Sequence, residues 1–360
     1  MTTDSSLEHD YLKSIYSRLR DDESHMIFDH RLRYYQTGDD KHLLEMLAKL
    51  DKRYDNYANV PPSRKNRVSK LKERLTDDPR DIVLYGAGCA FKDAYSILRK
   101  HIDIDPIYIC DSDSSKWNTK LNDINIISPQ ELQRDHKDCI IAISGIMYND
   151  EIYNYILTLG VSPADIYTFC TPKTQYFDID ILPPIENEVF IDAGCFDGQT
   201  IIDFIDYCPN YKKVFALEPD PNNFKLAKEK LGQKRLKNVT LIKKGVWSSE
   251  MELHFTQSGQ GSSICDTGNV TIMTATIDDI AKNDEVTYIK MDVEGAEKEA
   301  ILGAKNTIEN YKPKLAICIY HRPDDIITIP ALLHELVPEY KFIIRHYSMI
   351  FSETVLYATI

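Results

Sequence analysis

No two of the eight cysteines are spaced as C-x-x-C; they stand at positions 89, 110, 139, 170, 195, 208, 265 and 318. A zinc ribbon and a dithiol redox motif are therefore both absent. Cys110, Cys139 and Cys318 fall inside apolar strand patterns, where a thiol acts as a small hydrophobe, and the set fits a reducing cytoplasm better than a disulfide framework. No apolar run approaches the ~20 residues of a helical membrane span, and the opening MTTDSSLEHDYLK has no basic segment leading into an apolar one. A soluble, cytoplasmic protein without a membrane span is expected. Basic side chains are also short: 43 Lys and Arg face 56 Asp and Glu, a formal net charge of -13. A nucleic-acid binder needs a basic face, so no nucleic-acid partner is expected.

Glycine is scarce where a dinucleotide would need it. Two strand–turn–helix patterns carry a glycine turn, and neither has the three glycines that close backbone amides on a pyrophosphate. The first, Gly86-Ala87-Gly88, is followed by Ala90 and Phe91. The second, VFIDAGCFDGQT from Val189 to Thr200, has only Gly194 and Gly198 and opens with Asp192. A carboxylate there repels a diphosphate and suits the cationic amino and sulfonium groups of S-adenosylmethionine. The next strand, KVFALEPDP, ends in Glu218, an acceptor placed for two ribose hydroxyls.

The 360 residues, 43% of them hydrophobic and 28% charged, suggest a soluble protein of two or three domains. Residues 1–78 read as helices, with Leu7, Tyr11, Leu12, Ile15 and Leu19 at helical spacing and charges balanced at 15 basic and 15 acidic. A Tyr-rich amphipathic surface of this kind suits dimerisation or packing. Residues 79–172 alternate strand and helix as a small Rossmann-like domain; Asp111, at the end of IDPIYICD, stands where a ribose-binding acid would. Residues 173–187, with Pro183 and Pro184, read as a linker. From 188 to 360 strands and helices alternate regularly, interrupted by a polar stretch from Thr256 to Gly268 and one long expected helix over 295–309. The last two strands, 340–346 and 353–359, are joined by a short turn and must be antiparallel.

The expected fold class is thus α/β, with a class I methyltransferase Rossmann-like domain whose parallel sheet closes in an antiparallel hairpin. A second small Rossmann-like domain and an amino-terminal helical segment precede it. FIDAGCFDGQT, ALEPDP, YIKMDVEGAEKEAILGA and the terminal RHYS with ETVLYA together resemble the FkbM-type methyltransferases over roughly residues 188–360. The resemblance implies methyl transfer from S-adenosylmethionine to a hydroxyl oxygen, often of a sugar or secondary metabolite. It implies that Asp192, Gly194, Asp197 and Gly198 hold the methionine end, that Glu218 holds the ribose, and that Gly245 and Val246 border the adenine. Ser262 or Ser263 would close over the cofactor. The simplest members lack the two amino-terminal regions present here.

Lys290, Asp292, Glu294 and Glu297 follow the fourth strand of this domain, where open α/β sheets place ligands. Asp292 and Glu294 are candidate catalytic carboxylates, and Glu297 is equally a favourable helix-dipole charge. His321, just past the fifth strand, is a candidate general base because an ordinary imidazole titrates near working pH. Carboxylates and imidazole at Asp292, Glu294, His321 and Asp324 also suit a divalent ion, but no short-spaced ligand pattern supports one, and no metal is expected. Arg345 and His346 read as a charged face of an edge strand. The expected function is O-methylation of a hydroxyl on a sugar or glycan. Two other readings stand beside it: a nicotinamide-dependent sugar-nucleotide enzyme using Gly86–Gly88, and a non-catalytic scaffold.

Overall fold

Four- and five-residue apolar runs become the buried central strands of the two larger sheets, and the helices between the strands cover them. The computed structural model describes residues 5–146, 148–172, 175–234, 236–256, 263–264 and 270–360. The chain forms two compact units: Met1–Gly38 with Thr174–His346 and Thr354–Ile360, and Asp39–Lys173 with Tyr347–Glu353.

The Asp39–Lys173 unit holds six strands: β1 (Ile82–Tyr85), β2 (Tyr108–Cys110), β3 (Lys120–Leu121), β4 (Ile124–Ile127), β5 (Ile140–Ile143) and β6 (Ile166–Thr168). They form one sheet in the order β3-β4-β2-β1-β5-β6, parallel except for the β3–β4 pair. Val83, Tyr85, Ile141 and Ile143 build its core with Tyr153 and Ile156 from the helix Asn149–Thr158. The helix Lys41–Tyr54 belongs here as well, and buried Arg67 ties it down by pairing with Asp51.

In the other unit a seven-stranded sheet comprises β7 (Val189–Ala193), β8 (Lys213–Leu217), β9 (Val239–Ile242), β14 (Tyr288–Met291), β15 (Lys314–Cys318), β16 (Lys341–His346) and β17 (Thr354–Thr359). Its order is β16-β17-β15-β14-β7-β8-β9, with β17 alone antiparallel to its neighbours. The remaining strands, β10 (Gly245–Val246), β11 (Glu252–Thr256), β12 (Ser263–Ile264) and β13 (Val270–Ala275), make a separate sheet in the order β10-β13-β11-β12. The long helix expected over 295–309 is two helices, Glu297–Leu302 and Lys305–Tyr311. The break falls at Gly303, where a side-chain carbon would lie 2.0 Å from the carbonyl oxygen of Trp247. Among the described residues no helix is long and apolar enough to cross a membrane.

The helical segment expected over 1–78 is divided between the two units. The helix Asp22–Thr37 lies against β16, where Ser24 Oγ accepts from Ile344 N at 2.9 Å and Arg345 Nη2 reaches Asp21 Oδ2 at 2.7 Å. Arg18 O accepts from Phe342 N and Arg20 N donates to Phe342 O, so this segment covers an otherwise open sheet edge. Much of the expected linker is equally well packed. Phe177 enters an aromatic cluster in which Phe190 and Phe204 stack at 4.1 Å, with Tyr207 and Tyr288 around them. Proline predicted an irregular path there; the buried Phe177, Ile181 and Leu182 anchor it.

Candidate functional site

Sequence order runs from β7 outward to β9 and then restarts at β14 on the other side of β7. Ligands of open α/β sheets bind where the order reverses, beyond the carboxyl ends of the strands. β7 ends at Ala193, and Gly194 turns the chain with φ +84. A side-chain carbon at Gly194 would lie 2.0 Å from the carbonyl oxygen of Asp292, so only glycine lets the ends of β7 and β14 approach this closely. Phe196 is also left-handed, and Gly198, φ +81, opens the helix Gln199–Tyr207.

Each acid near this turn is engaged. Asp197 Oδ1 accepts from Gln199 N at 3.0 Å, and its Oδ2 lies 2.5 Å from Lys230 Nζ. Glu218, one residue past β8, accepts from Phe196 N through Oε2 and from Asp220 N through Oε1, both at 2.9 Å. Burial pushes its carboxyl up to about 7 against those two amides. Asp192 is fully buried beneath the turn. It is the register partner of Lys290 on β14, so both side chains share one face, and Lys290 Nζ lies 3.1 Å from Asp192 Oδ1. Nζ also donates to Gly194 O at 2.5 Å. The charges of Asp192 and Asp292 overcome burial and keep Lys290 protonated. Its position inside the strand, rather than beyond its end, explains why Asp192 meets a lysine under the turn and not open crevice.

The second wall is built by the ends of β14 and β15. After Met291 the chain passes Asp292 and Val293, turns through left-handed Glu294 (φ +55) and Gly295 (φ +91), and enters the helix at Glu297. Glu297 is buried; its Oε1 accepts from Val293 N at 3.0 Å and lies 2.9 Å from His321 Nδ1. The other ring nitrogen, Nε2, points to Asp292 Oδ1 at 3.4 Å and Glu294 Oε2 at 3.6 Å. Tyr176 OH donates to Asp292 Oδ2 at 2.9 Å and Tyr320 OH approaches Oδ1 at 3.5 Å.

His321 does not carry the ordinary imidazole pKa that would suit a free general base. Burial lowers its pKa, but the hydrogen bond with Glu297 and the charges of Glu297, Asp292 and Glu294 outweigh that and raise it to about 10. Asp292 moves the other way: burial raises it, and Lys290, His321 and the Tyr176 hydroxyl together bring it below the usual carboxylate range.

Other expected positions lie apart from this group. Gly245 and Val246 form β10 and pair with Thr274 and Ala275, with Pro219 beside Gly245. Ser262 lies outside the described residues, and so does the side chain of Ser263. Asp324 sits 3.6 Å from Arg322 Nε at the start of the helix Asp325–Leu336, away from His321 Nε2. Arg345 holds Asp21, and His346 Nδ1 lies 2.7 Å from Thr354 Oγ1, so both serve the β16 edge. In the other unit, Asp111 Oδ2 accepts from Ala87 N at 2.7 Å and pairs with Lys116 at 3.1 Å. Tyr176 was missed in the sequence because it sits in a proline-rich stretch with no periodicity; an aromatic pair, Tyr176-Phe177, was the one available sign.

Residues 192–344 match the methyltransferase FkbM domain, and residues 79–167 match the C2185-like amino-terminal family. No curated protein matches the chain. Among solved structures, methyltransferase FkbM from Methylobacillus flagellatus KT is 18% identical, with a TM-score of 0.48 over 88% of this chain and 100% of that one. Precorrin-6y C5,15-methyltransferase from Geobacter metallireducens GS-15 is 15% identical, with a TM-score of 0.32 over 50% of this chain and 82% of its own. A SAM-dependent methyltransferase from Aquifex aeolicus is 15% identical, with a TM-score of 0.30 over 48% and 82%. The similarity to the FkbM methyltransferases thus rests on residues 192–344.

Proposed function

We propose that the protein is an S-adenosylmethionine-dependent O-methyltransferase acting on a hydroxyl of a sugar or glycan. The observation that carries this reading is the meeting of Asp292, Glu294 and His321 at the ends of β14 and β15, next to the Gly194–Gly198 turn. The donor set fits the cofactor. Each oxygen of Glu218 accepts one backbone amide and keeps a lone pair for a ribose hydroxyl. The turn formed by Gly194, Asp197 and Gly198 takes the methionine end, while Gly245 and Val246, beside Pro219, border the base. Asp192 acts at one remove, through Lys290 and the Gly194 carbonyl, as a positioning residue.

When bound, S-adenosylmethionine supplies a methyl carbon activated by a positive sulfur. The chain's own contribution is chiefly to align the acceptor oxygen with that carbon. The proton that the acceptor hydroxyl loses on transfer would pass to a carboxylate, Glu294 or Asp292. Three carboxylates around a single imidazolium favour a cationic donor and an uncharged polyol over an anionic acceptor. Incubation with methyl-labelled S-adenosylmethionine and a panel of free sugars, sugar nucleotides and polysaccharides is expected to place label in an alkali-stable sugar ether. Label on nitrogen, sulfur or a carboxyl group would overturn the hydroxyl assignment, and no transfer to any acceptor would overturn the enzyme reading.

A further inference from the structure

We infer that Asp292, Glu294 and Nε2 of His321 form a divalent-cation site at the crevice mouth, with Glu297 fixing the imidazole from behind. His321 is oriented as a metal ligand. Its Nδ1 faces the buried Glu297 carboxylate at 2.9 Å, and that carboxylate is itself held by Val293 N at 3.0 Å. Nδ1 therefore carries a hydrogen donated to Glu297, the arrangement by which ligating histidines are commonly fixed in tautomer and direction. The opposite nitrogen, Nε2, has no hydrogen-bond partner, although the side chain is only 9% exposed.

Nε2 stands 3.4 Å from Asp292 Oδ1 and 3.6 Å from Glu294 Oε2, in hydrogen-bond geometry with neither. Two ligands bonded to one ion at about 2.1 Å are roughly 3.0–3.4 Å apart; Nε2 and Asp292 Oδ1 already stand at 3.4 Å, and Glu294 Oε2, 3.6 Å from Nε2, closes in when the ion binds. Binding displaces the Nε2 proton of the imidazolium, and the imidazole and two carboxylates then form a mixed nitrogen–oxygen set that suits Mn²⁺, Mg²⁺, Fe²⁺ or Zn²⁺. The side chains of Asp292 and Glu294 are 25% and 38% exposed, so coordination positions remain on the crevice side for water or an acceptor oxygen. The role of the ion rests on the methyl-transfer reading: a cation binding the acceptor hydroxyl lowers its pKa and fixes the oxygen for in-line attack. The existence of the site does not rest on that reading.

The test uses the full chain, stripped with EDTA and dialysed, with Mn²⁺ as probe followed by electron paramagnetic resonance and calorimetry in the absence of any acceptor. One Mn²⁺ per chain with a submillimolar dissociation constant is expected, with Mg²⁺ competing. His321→Ala and Asp292→Asn are each expected to weaken binding at least tenfold, and Glu297→Gln about 10- to 100-fold. Should His321→Ala fail to fold by circular dichroism, Glu294→Gln on the exposed rim must weaken Mn²⁺ binding in its place. Absence of saturable uptake of Mn²⁺, Mg²⁺ or Zn²⁺, or uptake undisturbed in a folded His321→Ala or Glu294→Gln protein, overturns the inference. S-adenosylmethionine binding, titrated separately in EDTA, keeps the two readings apart. Cofactor binding without cation uptake removes the ion alone, and cation uptake without cofactor binding removes the transferase alone.

Discussion

Lys290 and Asp192 are register partners on adjacent parallel strands, with Nζ 3.1 Å from Oδ1 and both side chains sealed from solvent. Removing one charge leaves the other buried and uncompensated, at a cost of about 3–5 kcal/mol. Lys290→Met is therefore expected to lower the unfolding free energy by about that amount in urea titration. Adding Asp192→Leu should recover most of the loss, because a buried pair replaced by apolar groups is often neutral. A single-variant loss below about 1 kcal/mol would show that water or another group already reaches Asp192.

Tyr176 reaches the site from a segment distant in sequence, and its hydroxyl donates to Asp292 Oδ2 at 2.9 Å. A hydrogen bond to a charged acceptor contributes about 1.5–3 kcal/mol. Tyr176→Phe keeps the ring over which Lys290 Nζ sits at 5.2 Å and removes only the hydroxyl. It is expected to lower kcat roughly tenfold or more while leaving cofactor affinity unchanged. A change confined to cofactor affinity would place Tyr176 on the cofactor and not behind Asp292.

What could be read in the sequence follows from how local each feature is. β7, β8 and β9, the β16–β17 hairpin and the glycine turns were legible because apolar runs, glycines and short connections encode them within a few residues. The fate of the first helices was not: an amphipathic face announces that a helix packs, not that Asp22–Thr37 packs on β16 more than 300 residues later. His321 and Glu297 are 24 residues apart in sequence, and their 2.9 Å contact exists only once β14 and β15 are paired. The sequence alone assigns His321 an ordinary imidazole pKa, whereas Glu297, Asp292 and Glu294, neighbours that spacing does not reveal, raise it. Asp192 was legible as an acid at the turn, while its Lys290 partner required the strand register.

Glu218 gives cofactor binding a pH dependence. Burial holds its carboxyl at about 7, so the ionised form, the better acceptor for ribose hydroxyls, prevails only above that pH. S-adenosylmethionine affinity in the free enzyme is expected to rise as pH passes from 6 to 8. Glu218→Gln, which is neutral throughout, should bind more weakly and lose the Glu218-dependent part of that slope. An unchanged slope in Glu218→Gln, measured by calorimetry, would assign the titration to another group.

Asp21 ties the amino-terminal helix to β16 in two ways: it caps the helix through Ser24 N at 2.8 Å and pairs with Arg345 at 2.7 Å. Burial raises its carboxyl, but the hydrogen bonds and charge of Arg345 and the Ser24 donors outweigh it and draw the value down to about 2. An unfolded aspartate titrates near 3.9, so between those values the unfolded chain binds the extra proton and stability falls as the pH is lowered. The contribution is fully present above pH ~5 and is lost as pH falls through about 2. Asp21→Asn preserves a good capping group and removes only the charge. In urea titrations at stepped pH, the wild-type protein is expected to exceed Asp21→Asn in stability at pH 6, with the gap closing toward pH 2. A gap that stays constant would mean that capping, and not the Arg345 pair, fastens this helix to the sheet edge.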